Sequence, residues 1–181
     1  MHLVDANILI DAENRYHAFD IAPGFWAWLE QAHRSGVLIS IDAVRDEILA
    51  GEDELAEWTR DHRDFFLPVD QRTVRNIAPL SAWAARQGYK SAALREFTSD
   101  QADFLLIAHA AGHGDIVVTN EQPRPDSRKK VKIPDACKAL DVEYVDIFAV
   151  LRLTGATLHL PGERGQTPDP APQALTIPGL D

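Results

Sequence analysis

Short apolar runs alternate with amphipathic stretches along most of this chain. Residues 2–5 form an apolar run ending at Asp5, and 6–13 continue as a helix with Ile8, Leu9 and Ala12 on one face. Pro23 and Gly24 mark a boundary. GFWAWLEQAHRSG then reads as an amphipathic helix ending at Gly36. VLISI (37–41) predicts a second strand. Asp42 follows as the expected cap of a helix carrying Val44, Glu47 and Ile48, which stops at Gly51. A helical pattern resumes over 53–60, and residues 70–98 predict two helices broken near Gly88.

Ser99 or Asp100 is the expected cap of the next helix, 101–112. Its Phe104, Leu105, Ile107, Ala108 and Ala111 leave little polar surface, the pattern of a helix covered on both sides. Gly114 ends it, and DIVVT (115–119) is the clearest strand signal in the chain. VKI (131–133) and VEYV (142–145) predict further strands around the helix PDACKAL, and IFAVLRL predicts a last helix. Strands alternating with helices argue for an α/β fold with a parallel sheet.

The pattern fades near residue 155, and five of the 11 prolines lie beyond it. Residues 1–154 therefore read as one domain, and 155–181 as a Pro/Gly-rich arm or disordered tail. The formal net charge of −10 excludes a general basic nucleic-acid binder, so a polyanion would need a local positive patch. The single cysteine, Cys137, excludes an internal disulfide and suits a reducing cytoplasm. Asp5 and Asp11 interrupt the first apolar stretch, which argues against a signal peptide, and no run reaches the ~20 apolar residues of a membrane helix.

Candidate chemistry gathers on acids. In an open α/β sheet, ligands bind beyond the carboxyl ends of the strands, where Asp5 stands. Asp5 and Glu121 both follow strands and share one sheet edge if the sheet is parallel. Asp100 and Asp103 are three apart, on one face of a helix start. Glu47 sits between the apolar Val44 and Ile48. Singly, each acid also reads as a helix cap, a first-turn acid answering the helix dipole, or a solvated side chain. Together they repel. Two carboxylates at ~4 Å cost about 4 kcal/mol at an effective dielectric of 20, so a fold keeps such a cluster mainly when a cation offsets it. Oxygen donors without His or Cys favour Mg²⁺ or Mn²⁺ over zinc. Asn7 and Thr119 are placed to orient the carboxylates or a water.

The segments VDANILI, SIDAVRDEIL, ADFLLIAHAAGHGDIVVTNE and KKVKIPDACKAL occur in that order over residues 3–145. In them the chain resembles the PIN-domain proteins, the ribonuclease fold of the VapC-type toxins, and more narrowly a PIN-like family without settled function. The resemblance implies a three-layer α/β/α fold with a central, mostly parallel sheet of four or five strands. It implies that Asp5, Glu47 and Asp103 are the three principal metal-binding acids, with Glu121 at the place of a fourth that is more often Asp or Asn. Thr119 matches the usual Ser or Thr. Asp100 matches no invariant acid and stands as an outer ligand or a cap. The implied activity is hydrolysis of RNA phosphodiesters with Mg²⁺ or Mn²⁺, in a toxin that pairs as a homodimer and is held inactive by an antitoxin.

Three further features bear on that expectation. Arg124, Arg128, Lys129, Lys130 and Lys132 follow Glu121 closely, either as a solvated loop or as a rim that tracks RNA phosphates. His109 is ~240° around the helix from Asp103, which makes it a packed or capping residue. Phe25, Trp26 and Trp28 crowd one helix that cannot bury all three on one side, so the third is expected on a partner surface. Two rivals stay open. One is a haloacid-dehalogenase-like phosphotransferase with Asp5 as nucleophile, suggested by VVTN (117–120). The other is an inactive PIN-fold module that works through protein contacts.

Overall fold

The structure, a computed structural model, describes residues 1–158. Five short strands, β1 (His2–Val4), β2 (Leu38–Ile41), β3 (Phe66–Leu67), β4 (Ile116–Val118) and β5 (Tyr144–Val145), form one sheet in the order β3-β2-β1-β4-β5. Every pairing is parallel. All four residues of β2 are buried, as are Leu3, Val4, Val117 and Val118. Parallel strands buried this fully need helices over both faces, which gives the three-layer α/β/α arrangement.

The chain builds outward from β1 to β2 and β3, then returns to lay β4 on the other side of β1. This reversal opens a crevice beyond the carboxyl ends of β1 and β4, the place where such sheets bind ligands. The helices are α1 (Ala6–Asp11), α2 (Pro23–Arg34), α3 (Asp42–Leu49), α4 (Glu54–Asp61), α5 (Gln71–Arg75), α6 (Ile77–Arg86), α7 (Ser91–Glu96), α8 (Ala102–His113), α9 (Ile133–Ala139) and α10 (Ile147–Leu153). A π turn at Ala12–Tyr16 extends α1. Helix α8 is the apolar one, with Phe104, Leu106, Ile107 and Ala108 at 0% exposure. It ends at Gly114, whose φ of 71° suits a residue without a Cβ.

Several local expectations differ from the structure. VKI (131–133) is not a strand: Val131 and Ile133 are buried, but the Ile133 N–H donates to a side chain, Glu121, at 2.9 Å. Strand β3 is only two residues long and stops before Pro68, too short for a periodic signal. Residues 70–98 hold three helices, with Asn76 at the first break, its amide donating to the Arg72 and Ala108 carbonyls. Asp42 is the first residue of α3 and not its cap; its carboxylate accepts the Val69 N–H at 3.4 Å. Neither Ser99 nor Asp100 caps α8, which starts after Gln101 without a side-chain cap.

Trp28 is half-buried against the core, and its indole N–H donates to the Thr154 hydroxyl at 2.9 Å. It therefore ties α2 to the end of α10 and, half-buried, lines a cavity of about 510 Å³ with Gly24, Gln31 and Thr154. Phe25 and Trp26 are buried. The expected C-terminal arm lies mostly outside the described residues. Its first part, 155–158, leads Leu158 to 3.6 Å from where a side chain on Gly24 would sit.

Candidate functional site

Asp5 leaves the carboxyl end of β1 as the N-cap of α1, so the capping reading and the site reading describe one side chain. One carboxylate oxygen accepts the Asn7 N–H at 3.4 Å. The other accepts the hydroxyl hydrogen of Thr119, just past the end of β4, at 3.0 Å. The residue is 1% exposed. Burial pushes its carboxyl up to about 7, with the negative charge of Asp103 adding to the rise and Glu121 adding a smaller one. The Thr119 and Asn7 hydrogen bonds favour the charged form and oppose the rise.

Asp103 lies in the first turn of α8. Burial raises its carboxyl too, followed by the charge of Glu121, while Lys130 and Lys132 pull it down. Glu47 projects from α3 into the same environment: desolvation raises it first, then Asp103, with Lys130 opposing. Asp5, Glu47, Asp103 and Glu121 are thus linked by repulsion, from four separate parts of the chain. Asn7, Glu47, Asp103 and Lys130 line one cleft of about 780 Å³.

Glu121 sits deeper than an exposed loop residue. One oxygen receives Lys132 Nζ at 2.6 Å, with Lys130 Nζ at 3.6 Å, and the other receives the Ile133 N–H at 2.9 Å. Its own N–H donates to the Thr119 hydroxyl oxygen at 3.2 Å. Thr119 therefore connects Asp5 to Glu121 through one oxygen. Asp100 is exposed on the cleft wall, where it accepts the Thr98 hydroxyl, which holds its carboxyl low. Asp42, Asp46 and Glu96 also line the cleft. The spacing of Asp42 and Asp46, one helical turn apart on α3, is the signal by which the sequence could have revealed them.

The basic segment divides. Lys130 and Lys132 face the acids. Arg128 donates to the Pro125 and Ser127 carbonyls and lies 5.9 Å from the Tyr89 ring, so it shapes its own loop. Arg124 and Lys129 are exposed, the Arg124 N–H being held by the buried Asp135 at 2.9 Å. Cys137, buried and pushed up to about 12, stays a thiol and serves packing.

The donor set fits a hard divalent cation. It consists of oxygens, and the carboxyls of Asp5, Asp103 and Glu47 are raised first by burial and then by the negative charge of their acidic neighbours, both of which a cation would offset. Among the described residues, the set of three metal-type side chains whose ligand atoms lie within 4.8 Å of one another is a different one, Asp70, His109 and His113. Of the four acids, Glu47 and Asp103 line the open cleft, while Asp5 is buried behind it and Glu121 lines a neighbouring cavity with Thr119.

The family model described as "Domain of unknown function (DUF4411)" matches residues 2–158. No curated protein matches the sequence. Among solved structures, VapBC2 from Rickettsia felis bound to a promoter DNA fragment is similar at 13% identity and a TM-score of 0.51. That match covers 80% of this chain and 97% of the other. FitAB bound to an IR36 DNA fragment is similar at 18% identity and a TM-score of 0.50, over 81% of this chain and 94% of the other. At these identities the likeness concerns the fold, and the PIN-like fold expected from the sequence is the one found.

Proposed function

We propose that this chain, which belongs to the family described as "Domain of unknown function (DUF4411)", is a divalent-metal-dependent ribonuclease and the toxin of a toxin–antitoxin pair. The observation that carries the reading is the raised, mutually repelling set of Asp5, Asp103 and Glu47 beside Glu121, at the crevice where the strand order reverses. Mg²⁺ or Mn²⁺ held by Asp5, Glu47 and Asp103 would supply an acidified water and charge neutralisation at a phosphodiester. No helix among the described residues is long and apolar enough to cross a membrane.

The remaining work belongs to the chain itself. Thr119 favours the ionised form of Asp5 against burial and aims its carboxylate by donating to it. Glu121 holds Lys132 with one oxygen and the Ile133 N–H with the other, and would reach a cation only through the remaining lone pairs of those oxygens. Lys130 and Lys132 offset the charge of an incoming phosphate, and Lys129 extends the positive rim. Asn7, on the first turn of α1, lines the cleft and orients a carboxylate or a water. An antitoxin protein and a second copy of the chain are the proposed partners. Tyr16 and Phe148, exposed apolar side chains beside a cavity of about 420 Å³, offer them a surface.

The test is incubation with structured RNAs and Mn²⁺, alongside the Asp5→Asn variant and an EDTA control. Cleavage confined to the native chain with metal supports the nuclease. Cleavage in all three tubes indicates a contaminant, and intact metal binding without cleavage leaves the fold as an interaction module.

A further inference from the structure

Further along α8, roughly a quarter to a third of a turn around from Asp103, lies a second cluster of polar side chains. His109 and His113 are one turn apart on α8, the i, i+4 spacing that sets two imidazoles on one helix face. Asp70, the N-cap of α5, closes on them: its Oδ1 is 3.2 Å from His113 Nε2. The approach is unusually tight, because a side chain on Gly112, between the two histidines, would meet the Arg72 carbonyl oxygen at 2.7 Å. Along the helix His109 is about 9 Å and His113 about 15 Å from position 103, so the cluster is a different set of side chains from the acids, although Val69, next to Asp70, lines the cleft.

The hydrogen bonds fix the state of His109. Thr73 donates its hydroxyl hydrogen to Asp70 Oδ1 at 3.1 Å, so its oxygen is free to accept from His109 Nδ1 at 3.0 Å. His109 then carries its proton on Nδ1 and presents a bare lone pair on Nε2. That atom is buried, in a residue 2% exposed, and has no hydrogen-bond partner. A buried acceptor without a donor is costly and calls for an explanation. An imidazole held through Nδ1–H with Nε2 open is the arrangement of a metal-ligating histidine, its other nitrogen oriented by a hydrogen bond.

We propose that Asp70, His109 and His113 form a transition-metal site, of the class filled by Zn²⁺, that clips α5 to α8. Their ligand atoms already lie within 4.8 Å of one another. Two imidazole nitrogens and one carboxylate oxygen suit zinc, and leave its fourth position to water. The rings of His109 and His113 stack at 4.2 Å and 13°, so their lone pairs lie in nearly parallel planes. Closure on an ion requires the less buried His113 to turn about its side-chain torsion and give up its bond to Asp70. His109, with Nδ1 anchored on Thr73, stays in place.

The experiment titrates ZnCl₂ into the full metal-stripped chain by calorimetry and follows its thermal midpoint. His113→Ala, Asp70→Asn and Asp103→Asn are run in parallel. The expected result is one zinc per chain and a raised midpoint. The affinity should fall roughly 10-fold or more in His113→Ala and Asp70→Asn and be unchanged in Asp103→Asn. Both altered residues in the cluster are partly exposed, so their unliganded midpoints report folding separately. The proposal is overturned by no zinc uptake below 100-micromolar concentrations (on the order of −5 kcal/mol of binding). It is equally overturned if zinc binding survives His113→Ala, or if it disappears only in Asp103→Asn, which would place the ion among the acids.

Discussion

Thr119 donates to Asp5 across the gap between two neighbouring strand ends, at 3.0 Å, in a place where neither residue meets bulk water. The hydroxyl favours the charged carboxylate against burial, and its oxygen also accepts the Glu121 N–H. Replacing it by the similarly shaped valine should leave the carboxylate oxygen without its donor. Thr119→Val is expected to lower stability by about 1–2 kcal/mol and Mn²⁺ affinity by roughly 10-fold. Urea unfolding and calorimetric titration check the two effects, and an unchanged affinity would show that Thr119 serves packing alone.

The raised carboxyl of Asp5 makes a pH prediction. A folded value of about 7, above the ordinary value of 3.8, means that the folded state keeps a proton that the unfolded chain has already lost. The associated stability is fully present below about pH 4 and is lost as pH rises through about 7. In EDTA, native protein should therefore weaken over that window by a few kcal/mol at most, since a tenfold change in proton affinity corresponds to about 1.4 kcal/mol. Asp5→Asn, which imitates the neutral carboxyl, should flatten the trend. A native-minus-variant difference that is constant between pH 4 and pH 8 would sink the assignment of this titration to Asp5.

Glu121 makes a different kind of contact from the other acids. It spends its oxygens on Lys132 and the Ile133 N–H, and so closes the loop from 122 to 132 onto the start of α9. Glu121→Gln keeps one acceptor and loses the charge. It should destabilise by about 1–2 kcal/mol through the partly buried ion pair, with a smaller loss of Mn²⁺ affinity than Asp103→Asn. The reverse order of affinities would make Glu121 a principal ligand.

The sequence made much of this legible, for reasons that can be stated. Strands β1, β2 and β4 are apolar runs apart from His2 and Ser40, because a parallel sheet buries both faces, and helix α8 was readable from its nearly all-round apolar surface. Asp5, Glu121 and Thr119 could be grouped because they all follow strands. The illegible parts depended on tertiary partners. VKI reads as a strand by composition, yet Glu121 takes its donor. The Asp70–His109–His113 cluster joins a helix cap to residues about forty positions away, and only the HAAGH spacing on α8 hinted at half of it.

Gly112 tests the packing beneath that cluster. In an exposed helix, alanine in place of glycine gains about 1 kcal/mol. Here the new carbon would lie 2.7 Å from the Arg72 carbonyl oxygen, backbone that a side-chain rotation cannot clear. Gly112→Ala should therefore cost about 1–3 kcal/mol net, read as a lowered urea midpoint with an unchanged slope. A stabilised variant would mean that α5 moves aside easily.

The positive rim makes its prediction through salt. Lys129 is exposed beyond Lys130, which is 3.6 Å from Glu121 and lies at the cleft. If both track RNA phosphates, each releases a counterion from the strand on binding, and the logarithm of affinity falls with the logarithm of salt by about 0.7 per contact for a single strand. Lys129→Glu with Lys130→Glu should weaken RNA binding at low salt and reduce that slope by about 1.4 in an Asp5→Asn background, where the RNA stays intact. Arg128, engaged with its own loop carbonyls and the Tyr89 ring, should contribute less to the slope and more to stability when changed to Ala. Fluorescence anisotropy over a series of KCl concentrations measures both. Parallel salt lines for the native and reversed proteins would remove these lysines from the RNA path and leave them as partners of the acids alone.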